Sequence, residues 1–140
     1  MSLRLLLSLA AALGVAAPAH AELYYLIVGG LGGEQSYSEQ FDKDTAALAA
    51  VARRTTAESR VTVLKGEAAT REALVKSLTS LRTRAKAADN LIVMLIGHGS
   101  YDGKSAKFNL PGPDMSAADF NTQGSYAADA TWNVVGPWAP

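Results

Sequence analysis

With 140 residues, 13 Lys and Arg against 13 Asp and Glu, the chain has the length of one ordinary domain and no net formal charge. That balance argues against the basic face that nucleic-acid binding requires. It holds no cysteine, which excludes disulfides, thiolate zinc sites and a thiol nucleophile.

Residues 1–21 read as a secretory signal. Arg4 supplies the positive start, Leu5 to Ala17 the apolar stretch and Ala19-His20-Ala21 a small-x-small cleavage motif. Cleavage after Ala21 leaves Glu22–Pro140, a chain with a single net negative charge, secreted or periplasmic. It carries no cysteine for a lipid anchor and no later run of about 18 uncharged apolar residues for a membrane span. Its one remaining histidine, His98, cannot build an imidazole cluster, so no metal and no cofactor are expected.

Leu23-Tyr24-Tyr25-Leu26-Ile27-Val28 lacks polar alternation, as expected of a strand buried on both faces in a parallel sheet. After the glycine-rich loop 29–37, Ser38 is placed to cap a helix running to Thr55, with Phe41, Leu48, Val51 and Ala52 along one side. Arg60 to Leu64 reads as a second strand. Thr70 is placed to cap a second helix over Arg71–Ala87, whose Leu74, Leu78, Leu81 and Ala85 share one face. Its basic residues Lys76, Arg82, Arg84 and Lys86 suit a solvated surface, with anion binding as the alternative. Asn90 to Ile96 is the third and most apolar strand and runs into Gly97-His98-Gly99-Ser100.

Strand, helix, strand, helix, strand in this order predicts an α/β fold, a three-layer α/β/α sandwich with a mainly parallel sheet. Asp102-Gly103 then marks a tight turn before a small strand over Ala106–Leu110. Ser116 and Asp119 have the spacing of a capping box. Residues 22–120 form the expected α/β domain, and 121–140 read as an irregular tail that leaves a sheet edge uncovered, so self-association is expected.

In open parallel sheets ligands bind beyond the carboxyl ends of the strands. Two loops share that edge here, Gly29–Glu34 and Gly97–Ser100, and their glycines let backbone N–H groups approach a ligand. Gly32 and Gly33 are binding candidates on that ground. The first loop is not a dinucleotide fingerprint, because Gln35 stands where the third glycine belongs, and no Walker lysine follows. His98 is the candidate general base or acid. Asp102 either orients it or attracts a cationic group, or else simply makes the turn.

An apolar strand ending in Gly97-His98-Gly99-Ser100, behind a strand–helix–strand–helix unit and ahead of an Asp-containing hairpin, resembles the caspase-fold cysteine peptidases: caspases, metacaspases and legumain-like enzymes. The resemblance covers residues 23–120. It implies that His98 is the catalytic imidazole, that Gly99 supplies the oxyanion-hole N–H, and that Asp102 helps shape a pocket for a peptide or protein ligand. It also implies that Leu110–Asp114 and the capped helix lead to a fourth strand closed by the nucleophilic cysteine. That cysteine is missing, so the expected protein is an inactive caspase-like domain or a fragment of a peptidase. Two other readings are an α/β-hydrolase fragment, although Gly97–Tyr101 does not match the G-x-S-x-G elbow, and a non-catalytic periplasmic binding module.

Overall fold

The computed structural model describes residues 20–123 and 132–135. Its strands β1 (Leu23–Gly29), β2 (Val61–Leu64), β3 (Asn90–Ile96) and β7 (Trp132–Val135) pair in parallel in the order β2-β1-β3-β7. Helix α1 (Gln35–Ala52) joins β1 to β2, and α2 (Arg71–Arg84) joins β2 to β3. Beyond β3, the short strands β4 (Gly99–Tyr101), β5 (Ala106–Phe108) and β6 (Met115–Ser116) form a separate antiparallel sheet, followed by α3 (Ala117–Gln123). The protein is therefore mixed α/β, with a small parallel sheet flanked by helices and a small antiparallel sheet at its end. Within the stretch read as an irregular tail, Trp132–Val135 lies alongside β3; 124–131 and 136–140 are outside the described residues, as are residues 1–19, the greater part of the stretch read as a signal. Among the described residues no helix is long and apolar enough to cross a membrane.

The alternation of a strand's side chains between two faces explains the two cores. On one face Tyr24, Leu26 and Val28 of β1 meet Leu74, Leu78 and Leu81 of α2, together with Val93, Phe108, Leu110 and Met115. On the other, Tyr25 and Ile27 meet Ala49 and Ala52 of α1, with Leu48, Val63, Ile92, Met94 and Ile96 packed around them. The strand is buried on both sides, as its unbroken apolar sequence requires.

Helix α2 follows the sequence closely: the Thr70 hydroxyl accepts the Ala73 N–H at 3.1 Å, and its leucines are fully buried. Helix α1 does not. It starts at Gln35, and Ser38 is not its cap; the Ser38 hydroxyl donates back to the Glu34 carbonyl at 3.1 Å. Gly33, at φ +75°, makes the turn that launches the helix early. Its buried face is Thr45, Ala49 and Ala52, while Val51 is 48% exposed. Small side chains bring this helix close to the sheet; of the expected face Ala52 is among them and Leu48 packs beside it. The Thr55 hydroxyl donates to the Ala52 carbonyl at 2.8 Å, so its single proton is spent and the Tyr25 phenol, 2.9 Å away, is the donor between them. Arg84 is likewise committed locally, donating to the Ser59 carbonyl at 3.0 Å and stacking over Tyr24 with Arg60.

Two aspartates fasten the ends of the structure. Buried Asp89 accepts the Lys86 N–H at 2.7 Å and the Glu22 N–H at 2.8 Å. Asp119 completes the predicted capping box: it accepts the Ser116 N–H at 2.8 Å, its own N–H donates to Ser116 Oγ, and it pairs with Arg71 of α2 at 2.5 Å. These backbone N–H donors, foremost those of Lys86 and Ser116, hold both carboxyls below their ordinary range. A carboxyl lowered in the folded state stabilises it above the unfolded value and loses that contribution as pH falls through the folded one. Unfolding midpoints in urea should therefore hold from neutrality to about pH 5 and drop below about pH 4. A flat profile to lower pH would contradict this. Replacing Leu78 by Ala should cost about 2–5 kcal/mol in the same measurement, since the site is fully buried between α2 and the sheet.

Candidate functional site

Parallel pairing brings the ends of β1 and β3 together, Gly29 opposite Ile96. The chain beyond each end is stitched to the other and to the hairpin. Gly30 N–H donates to the Ile96 carbonyl at 2.8 Å, Leu31 N–H to the Asn109 carbonyl at 2.9 Å, and Asn109 N–H to the His98 carbonyl at 3.0 Å. The Phe108 ring closes the corner from within. A Cβ on Gly97 would stand 2.9 Å from its Cε2, and one on Gly30 2.7 Å from its Cζ and 2.6 Å from the Asn109 carbonyl oxygen. Glycine at these two positions is thus a packing requirement of the corner.

His98 leaves this corner half-buried, with its ring edge-on to two aromatic rings of α1: Tyr37 at 4.6 Å and 80°, Phe41 at 5.1 Å and 71°. The two aromatics lie one helical turn apart and form one clasp around the imidazole. Neither was identified from sequence as a site residue. The signal was their i, i+4 spacing, legible only if the helix is known to start at Gln35. The arrangement gives His98 a defined orientation at the carboxyl edge of the parallel sheet.

The other candidates divide. Gly99 is the exposed first residue of β4, opposite Phe108. Because His98 and Asn109 form the hydrogen-bonded pair beside it, the alternation of antiparallel pairs turns the Gly99 N–H away from β5. Gly32 is buried against the first turn of α1, where a Cβ would come within 2.5 Å of Ser38 N; Gly33 faces open space. Both shape the loop beside His98.

Asp102 belongs to the hairpin turn. One carboxylate oxygen accepts the N–H groups of Ser105 at 2.8 Å and Lys104 at 3.0 Å, and the other faces the Lys107 ammonium at 3.4 Å. These donors, Ser105 N–H first, keep its carboxyl below the usual range. Of the two readings of Asp102, the structure supplies contacts for the turn. Ser100 is exposed in β4, opposite Lys107. Asn109 Oδ1 is buried at the same corner with no hydrogen-bond partner among the described residues.

No protein-family model matches the chain, and no curated protein matches it.

Two substitutions separate the clasp from the turn. Tyr37→Ala should move the His98 ring-proton resonances, because an adjacent ring current is removed, whereas Asp102→Asn should leave them in place and weaken only the hairpin. The reverse pattern in NMR spectra of the two variants would assign His98 to Asp102 instead. Gly30→Ala should cost about 1–3 kcal/mol of stability in urea unfolding, through overpacking against Phe108 and Asn109.

Proposed function

We propose that the chain is an exported, caspase-like domain that binds a peptide or protein segment at the corner around His98 and does not cleave it. The carrying observation is the position of His98: it leaves β3 at the carboxyl edge of a parallel sheet, beside the β1 loop and held by Tyr37 and Phe41. The order of elements beyond it supports the same reading, with a hairpin, a capped helix and a strand parallel to β3 following in turn. In the caspase-like arrangement the nucleophile closes that last strand. Here Val135 is followed by Gly136-Pro137, with neither thiol nor hydroxyl. An imidazole with no attacking group to deprotonate cannot begin acyl transfer.

What remains is recognition. The Gly99 N–H turned away from β5 and the His98 imidazole offer a peptide backbone two polar partners, with the exposed rings of Tyr37 and Tyr101 on the flanking elements. Residues 1–21 direct export and are removed after Ala21, which puts the domain in the periplasm or outside the cell. The β2 edge, paired only to β1 among the described residues, is the surface through which copies associate.

Peptides offering Arg, Lys, Asp or Asn, added to the exported protein, should remain intact over days while perturbing the amide resonances of Gly33, His98 and Gly99. Turnover abolished by His98→Ala would overturn the inactive reading. Intact peptides with no perturbed resonance would remove the binding role.

A further inference from the structure

We infer that the Asp89 carboxylate is a receptor for the chain's own new amino terminus, so that cleavage after Ala21 creates an ion pair that locks the folded domain. The inference rests on the export reading above and adds a consequence that the cleavage motif does not contain. Glu22 N stands 2.8 Å from Asp89 Oδ1, and the aspartate is only 7% exposed. The other carboxylate oxygen accepts the Lys86 N–H at 2.7 Å, and the Glu22 carbonyl accepts the Asn90 N–H at 2.8 Å. The main chain of Glu22 is therefore pinned on both its polar groups to the segment that opens β3. Its side chain is drawn aside to Arg60 at 2.8 Å, which keeps a second carboxylate away from the new amine.

While Ala21 is attached, Glu22 N is a neutral amide with one proton. Hydrolysis of the Ala21–Glu22 bond adds water across it, leaving a carboxylate on Ala21 and an ammonium group with three protons on Glu22. His20 and Ala21 are exposed, so their departure uncovers no core. A hydrogen bond from a neutral amide to the carboxylate then becomes a pair between an ammonium donor and the same carboxylate, with both partners charged in a half-buried place. Other charges facing the pair are those of Lys86, Arg60 and the Glu22 side chain; the two cations favour the Asp89 anion, and the Glu22 carboxylate is itself neutralised by Arg60. The uncleaved chain makes this contact through a neutral amide only, so its folded state lacks the ion pair until the leader is removed.

The test uses the full chain expressed with its own leader and recovered after export. Its intact mass should correspond to a chain beginning at Glu22. With the lysine amines as internal standards, the α-amine should be acylated about tenfold more slowly in native buffer than in concentrated urea, the factor expected for one unit of pKa. Asp89→Asn should bring that ratio close to one. If the variant does not fold, the Asp89 carboxyl carbon resonance of the unsubstituted protein decides: it should move when the α-amine is acetylated in urea and the chain refolded. A Glu22 terminus with equal reactivity in both states, slow acylation that persists in Asp89→Asn, or an unmoved carboxyl resonance would overturn the ion pair and leave export standing. A chain beginning at any other residue would overturn the cleavage assignment together with the inference.

Discussion

The parallel register between β1 and β3 is the constraint on which the site depends. Seven residues of each pair in step, from Leu23 opposite Asn90 to Gly29 opposite Ile96. Parallel strands in register end on the same edge, so the chain beyond β1 and the chain beyond β3 must leave the sheet side by side. Both segments turn at glycines because the Phe108 ring fills the corner beneath them. The first leads into α1, whose opening turns carry Tyr37 and Phe41; the second carries His98 between them. The aromatic clasp thus follows from strand register, glycine packing and helix phase acting together.

The elements legible in the sequence were those with local causes. An unbroken apolar run identified β1 and β3, a threonine followed by leucines four and three residues apart identified α2, and the Ser116–Asp119 spacing identified the start of α3. Helix α1 starts four residues earlier than a Ser38 cap would place it, because its start is set by the positive φ of Gly33 rather than by a side-chain cap. Of its expected face Ala52 is buried and Leu48 packs beside it, while Val51 is exposed; alanines occur all around the helix, and only contact with the sheet selects Ala49. His98 could be singled out from its place after an apolar strand. Its partners could not, since Tyr37 and Phe41 reach it only through the fold.

The carboxylates illustrate the same division. Asp119 and Asp102 satisfy backbone donors two or three residues away, and both roles are written in short motifs. Asp89 instead joins Lys86 to Glu22 across 67 residues of chain, and no local pattern announces it. That long-range contact fixes where β1 begins, just as the Gly30, Asn109 and His98 bonds fix where it ends. The two ends of one strand therefore hold the features that matter most here, a buried carboxylate at the start and an oriented imidazole beyond the finish. The imidazole stands in a chain that holds no cysteine.

The most direct measurement is a nuclear Overhauser spectrum of the protein with its aromatic side chains labelled. The account predicts cross-peaks from the His98 ring to the rings of both Tyr37 and Phe41, together with the parallel-strand pattern between β1 and β3. A His98 ring that contacts neither aromatic residue, or an antiparallel pattern between those strands, would contradict it.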